Sequence, residues 1–183
     1  MPDAPGLELI RAELNDRHEG AVLGTSFDVG QAALNVDPAQ VLDVLRWLRE
    51  TPGQEYTFLS SLHAVDYLPA EPRFGVHYEL LNRDRVERLR VKALLEDPAA
   101  GEKGAAAGAL PELSSCVGIF PTADFQEREA YDFFGIVFTG HPDLTRILMP
   151  EDYVGWPQRR DFPIGGEPVL FTHNEPGAPG VPT

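Results

Sequence analysis

The run Val86-Glu87-Arg88-Leu89-Arg90-Val91-Lys92-Ala93-Leu94-Leu95 decides the fold class. Successive side chains of an extended chain point to opposite faces, so Leu89, Val91, Ala93 and Leu95 share one face and Arg88, Arg90 and Lys92 the other. That is the pattern of a half-buried strand. Two earlier stretches, Tyr56 to Val65 and Phe74 to Leu81, alternate in the same way. The connections between the three are short, and successive strands joined briefly pair antiparallel, because a parallel pair needs a long crossover.

Upstream, Leu7, Ile10 and Leu14 recur at helical spacing before Gly20. Val22 to Phe27 and Ala32 to Val36 read as a hairpin around Asp28-Val29-Gly30. Asp37-Pro38 then starts a helix, because aspartate accepts from the free N–H groups of a first turn and proline tolerates the first helical position. Val41, Val44, Leu45 and Leu48 form its apolar stripe, and Thr51-Pro52-Gly53 ends it. Helices and strands in this order give an α+β domain, a mainly antiparallel sheet with helices on one face.

Downstream, Asp97 to Ala109 is rich in alanine and glycine and reads as a surface loop. Pro111 opens a short helix that runs to Phe120. Asp124 and Glu127 have the spacing of a capping box, and Gly135 closes the helix that follows. Pro142, Pro150, Pro157 and Pro163 then punctuate an irregular proline-rich segment with little of its own to bury. The division is a sheet-and-helix domain over residues 1–96, a loop over 97–109, a docking segment over 110–171 and a flexible tail over 172–183, where Pro176, Pro179 and Pro182 fall.

With 183 residues, 43% of them hydrophobic, the chain is long enough for a real core. Its 29 acidic against 15 basic side chains leave a formal charge of −14, which disfavours nucleic acid and anionic lipid as direct partners. No apolar run approaches the roughly 20 residues of a membrane span, and the first residues lack the layout of a signal peptide. Cys116 is the single cysteine, so an internal disulfide or a cysteine-ligated cluster is excluded. It reads as a small apolar filler.

The stretch Glu127-Arg128-Glu129-Ala130-Tyr131-Asp132-Phe133-Phe134-Gly135-Ile136-Val137-Phe138-Thr139-Gly140-His141-Pro142-Asp143-Leu144 resembles the signature of the 30-kilodalton (C) subunit family of NADH:quinone oxidoreductase, respiratory complex I. Arg146-Ile147-Leu148-Met149-Pro150-Glu151-Asp152-Tyr153, Gly155 and Arg159-Arg160-Asp161-Phe162-Pro163 follow in the family's order and spacing. Two positions depart from it: Gln158 stands where an apolar residue usually precedes the two basic ones, and Trp156 replaces a more variable residue. The resemblance implies a structural subunit without catalytic residues, cofactor or metal of its own. Iron-sulfur clusters, FMN and the quinone site would lie in partner subunits. It implies docking on the D subunit, which forms much of the quinone chamber, near the B and I iron-sulfur subunits. The implied location is peripheral, on the cytoplasmic side of the bacterial cell membrane and without membrane insertion.

Four-residue spacing puts Arg128 beside Asp132 and Glu127 beside Tyr131 on a helix. Surface pairs contribute little, so the charged turn implies partial burial of Glu127, Arg128, Glu129 and Asp132, which would satisfy backbone groups of the irregular segment while Phe133 and Phe134 anchor it. Arg146, Arg159 and Arg160 have the fork suited to carboxylates. They are expected either on neighbouring subunits or on Asp143, Glu151, Asp152 and Asp161 of the same chain.

Other chemistries lack support. His63, Asp66, His77, His141 and His173 form no HExxH pair or comparable ligand spacing. His141, between Gly140 and Pro142, reads as fixing a turn. There is no GxSxG elbow, no GxGxxG between strand and helix, and no GxxxxGK[ST] loop. Subunits of membrane-bound hydrogenases and other ferredoxin-linked complexes resemble this chain too, and a scaffold's motifs do not name the electron donor.

Overall fold

A computed structural model describes residues 2–99 and 108–163. Helix α1 (Ala4–Arg17) starts where the Asp3 side chain accepts from the Gly6 N–H at 2.8 Å. Strands β1 (Val22–Asp28) and β2 (Gln31–Val36) follow as a hairpin. Val29 and Gly30 at its tip both have positive φ, 50° and 70°, the hand of turn that suits the twist of a two-residue hairpin. Asp37 caps a single 3-10 turn (Pro38–Gln40) that leads into α2 (Val41–Glu50).

Strands β3 (Phe58–Asp66), β4 (Phe74–Asn82) and β5 (Glu87–Leu95) are antiparallel neighbours as expected. The sheet order is β1-β2-β5-β4-β3. One pairing, β2 with β5, is parallel, because the chain passes through α2, β3 and β4 before β5 returns beside β2. The sheet is therefore mixed and mainly antiparallel. Leu34, Val91, Tyr78 and Leu62 face the helices, where they join Leu7, Ile10 and Leu14 of α1 and Val41, Val44, Leu45 and Leu48 of α2 in one core.

The chain beyond the sheet departs from three sequence expectations. Residues 112–120 do not form a helix. Instead β6 (Glu112–Ser114) pairs in parallel with β7 (Val137–Thr139), burying Leu113 and Phe138, and a tight turn at Cys116 to Phe120 follows. Helix α3 (Ala123–Phe134) has no side-chain cap: Glu127 reaches the Ser115 hydroxyl and the Cys116 N–H rather than its own first turn. The surface loop expected from Asp97 begins buried, since Asp97 binds Arg73 at 2.7 Å and Ala99 is covered. The middle of that loop, 100–107, and all positions from 164 on lie outside the described residues.

Gly135 ends α3 in the left-handed conformation, φ 69°, as its position predicts. Helix α3 lies along β3, the edge of the sheet, where Gln126 accepts from the Leu62 N–H and the Thr122 hydroxyl donates to the Leu59 carbonyl. The edge strand is thus partly closed by the helix that carries the signature. Ala123, Ala130 and Phe134 tie α3 to the same core as the sheet.

Candidate functional site

From Gly140 to Pro163 the chain has neither helix nor strand, and only Trp156 and Arg159 of that stretch are buried. Its shape comes from side chains of α3. Asp132, fully buried, accepts from the Ile147, Leu148 and Met149 N–H groups at 3.0, 2.7 and 2.9 Å and from Arg146 at 2.7 Å. Burial pushes the Asp132 carboxyl up, but the three N–H groups and the Arg146 guanidinium outweigh it and hold it below the ordinary aspartate value. Three consecutive amides converging on one carboxylate fix the loop around it.

Arg146 completes the clasp. Its other nitrogen donates to the Gly155 carbonyl at 2.9 Å, and its guanidinium lies 4.7 Å from the Trp156 ring centre. Tyr131 meets the same indole edge-on at 5.3 Å. That indole covers Gly135 so closely that a Cβ there would fall 2.5 Å from it. Trp156 is thus a packing element. Gln158 is exposed, and its N–H donates to the Phe133 carbonyl at 3.2 Å.

Arg128 holds the other side of the loop through the Thr145 and Arg146 carbonyls, 3.1 and 3.2 Å away. The helical pairs expected from spacing are therefore replaced by bonds from α3 to the segment. Asp132 and Arg128 behave as anticipated for groups serving irregular backbone, whereas Glu129 is exposed and Glu127 serves the upstream turn. Phe134 is buried and Phe133 half-buried. His141 fixes a turn: its Nδ1 accepts from the Asp143 N–H at 3.0 Å, and its Nε2 lies 3.2 Å from the Asp124 carbonyl. Pro142 and Asp143 are exposed beside it.

The arginines do not bind the acids expected of them. Arg146 takes Asp132, and Arg159 is 4% exposed, donating from Nε to the Phe134 carbonyl at 2.7 Å with its guanidinium over Phe74. Burial lowers its pKa, and its Nη2 has no hydrogen-bond partner among the described residues. Only the Arg160 side chain is exposed, while its N–H donates to Asp66 at 2.8 Å. Asp161 binds Arg73, Phe162 packs over Gly155, and Pro163 is exposed.

Arg73 was invisible to local reading. It binds Asp66 at 2.9 Å, Asp97 at 2.7 Å and Asp161 at 2.6 Å, joining the sheet to the last described turn. Burial alone would lower its pKa, but the three carboxylates raise it. Its partners lie 7, 24 and 88 positions away, so no spacing rule finds them.

The histidines of the sheet are structural. His63 and His77 meet edge-on at 5.0 Å, and His77 Nε2 lies 2.8 Å from the Tyr67 hydroxyl. Burial pushes His77 down to about 3. Among the described residues no three His, Cys, Asp or Glu side chains are grouped to hold a metal ion, and no helix is long and apolar enough to cross a membrane. His173 lies outside those residues.

The whole is an α+β unit whose long irregular segment is held by side chains of α3 and by Arg73 and Asp66 of the sheet region. The family described as "Respiratory-chain NADH dehydrogenase, 30 Kd subunit" matches residues 34–168. The chain is 41% identical to the NADH-quinone oxidoreductase C subunit of Roseiflexus sp. (strain RS-1), over 96% of this chain and 92% of that one. It is 47% identical to the protein of that name in Herpetosiphon aurantiacus, over 80% and 79%. Its fold is shared, at TM-score 0.64 and 22% identity over 86% and 85% of the two chains, with a chain of an archaeal respiratory complex, the membrane-bound sulfane sulfur reductase. The chain belongs to the 30 Kd subunit family of respiratory-chain NADH dehydrogenase.

Proposed function

We propose that the chain is a non-catalytic subunit of the peripheral arm of a proton-translocating NADH:quinone oxidoreductase, and that residues 110–171 are its docking segment. The observation that carries this is the clasp. A buried carboxylate and an arginine fix the loop at 147–149, yet Leu148 at its centre stays 61% exposed and Val154 nearby 75% exposed. Ordering a loop costs conformational entropy, and an apolar tip held rigid in water gains nothing from it alone. A partner surface recovers that cost, since a pre-shaped segment binds without paying for ordering again.

The partner is the D subunit, with the B and I iron-sulfur subunits alongside, as the family resemblance implies. Clusters, FMN and quinone belong to those neighbours and to the rest of the assembly, and the site is the cytoplasmic side of the bacterial membrane. The chain's own contribution is positional: it holds the quinone-chamber subunit in register while electrons pass from NADH to quinone elsewhere.

Leu148→Lys tests this without touching the core. Tagged full-length chain is recovered from mildly solubilised membranes, and co-purifying subunits and NADH:quinone reductase activity are recorded together. The substitution should remove the D subunit, and with it the activity, while thermal melting of the chain stays put. Full recovery of both would overturn the reading, and recovery of the wild-type chain with a hydrogenase module would move it to that class of complex.

A further inference from the structure

The sheet has a second face that none of the helices among the described residues covers. Register places Asn35, Lys92, His77 and His63 in one row across it, and Ala33, Arg90, Glu79 and Ser61 in the next. Arg88 continues the β5 column. In a chain of net charge −14, Arg88, Arg90 and Lys92 thus stand at alternate positions of one central strand. Glu79, the carboxylate in these rows, is taken by Arg90. Arg88 and Lys92 have no ion-pair partner among the described residues.

A second feature is built at the same place. The β3–β4 register shifts between Leu59 and Ser61, a bulge of the kind that re-aims side chains. Ser60 and Ser61 consequently line one groove, together with Gln31, Glu79, Arg88 and Arg90, enclosing about 380 Å³. The Ser60 hydroxyl is spent on the Glu79 carbonyl at 2.9 Å, which leaves the Ser61 hydroxyl and the Gln31 amide for a peptide backbone and the Arg88 fork for a carboxylate.

We propose that this groove docks an acidic, Asp- or Glu-bearing polypeptide segment from another chain of the same complex, a contact separate from the clasp. The proposal rests on the reading of the chain as a subunit. Charge decides the occupant. A second copy would set the same cations against each other, and an extended polyphosphate or anionic bilayer would feel the net charge of the whole chain. A short acidic segment feels chiefly what lies within a Debye length, about 8 Å at physiological salt. In the groove Glu79 is already held by Arg90, while Arg88 is exposed and without an ion-pair partner among the described residues. Asp28 opposite Gln31 and Glu129 beside Ser61 bound the groove on its two sides and direct the carboxylate to Arg88.

The experiment places a photo-crosslinking amino acid at position 61 in the tagged full-length chain, irradiates membranes, and sequences the adduct after purification. It is repeated with Arg88→Glu and Arg90→Glu together and, as a matched control, with Arg46→Glu, an exposed residue of α2 whose ion pair is with Asp43. The expected adduct maps to an acidic segment of a polypeptide that co-purifies with the reductase. Its yield should fall roughly tenfold on the double reversal and hold in the control. No adduct, an adduct to a second copy, to lipid or to nucleic acid, or a yield indifferent to charge would overturn the proposal. Position 61 alone still decides the matter if the double variant fails to fold. Failure of the subunit reading is distinct, because the wild-type chain would then recover either no complex or one without NADH:quinone reductase activity, whatever the adduct.

Discussion

The two halves of this molecule hold their shapes by different means. From α1 to β5 the chain is ordered by apolar burial: Leu14, Leu34, Val44, Leu48, Tyr78 and Val91 are each fully covered. From His141 to Pro163 burial is nearly absent, and shape comes from charged groups bonded to backbone: Asp132 to three amides, Arg128 and Arg146 to carbonyls, Asp66 to the Arg160 amide. Buried charge costs desolvation, so it is a poor route to stability. It is a good route to a single conformation where there is no core. The two regimes meet at Arg73, which belongs to the sheet and holds Asp161 of the segment.

Arg73→Leu should therefore erase the distinction. It leaves the buried carboxylates of Asp66 and Asp97 uncompensated, a loss of about 3–5 kcal/mol. Urea melts followed by tyrosine and tryptophan fluorescence should show both halves weakened, and a loss under 1 kcal/mol would show that the network carries little. Asp132→Ala should sharpen the distinction instead, at about 2–4 kcal/mol for the stranded arginine and amides. Hydrogen exchange should then quicken at Ile147, Leu148 and Met149 while β4 and β5 keep their protection. Equal loss in the sheet would mean that the halves are one cooperative unit.

This split also decides what was legible in the sequence. The sheet and α2 were readable because burial imposes periods of two and 3.6 on the residues that carry it, and Leu89, Val91, Ala93 and Leu95 display the first openly. The signature marked the stretch that holds the clasp, and of the four charges expected to serve the irregular backbone Arg128 and Asp132 do so while Glu127 and Glu129 do not. It did not show which carboxylate meets which cation. Arg128 and Asp132 satisfy a helical spacing rule and still bind elsewhere, because three loop amides and Arg146 offered Asp132 more than the half-buried Arg128 guanidinium could. Glu127 matched a capping box and was drawn to Ser115 and Cys116, whose placement depends on β6 pairing with the distant β7. The mistaken helix from Pro111 to Phe120 has the same origin: the three residues of β6 are too few to show a strand's period.

Gly135→Ala attacks the turn that ends α3 beneath the Trp156 indole. Its φ of 69° suits glycine, and the added methyl would collide with the Trp156 indole, so a loss of about 1–3 kcal/mol is expected. A double-mutant cycle with Trp156→Ala separates the causes. If the indole is the obstacle, the pair will cost less than the sum of the two. Strict additivity would leave backbone strain as the whole effect.

The smallest expected effect concerns two carboxylates on one helix that respond to pH in opposite senses. Asp132 is held below its ordinary value, so its contribution is present above the unfolded pKa near 3.8 and is lost as pH falls through the lower, folded one. Burial raises Glu127, and the Ser115 hydroxyl and Cys116 N–H only partly offset it. Its contribution is complete below the unfolded value near 4.5 and is lost as pH rises through the higher, folded one. Glu127→Gln keeps an acceptor for the Cys116 N–H and offers an N–H to the Ser115 oxygen without the charge. The variant should gain on wild type as pH rises from 5 to 8, by about 0.5–1.5 kcal/mol at the upper end, in melting curves across that range. A deficit that stays the same at every pH would mean that Glu127 is ionised in the fold and that the turn at Cys116 depends on its charge, which would place it with Asp132 after all.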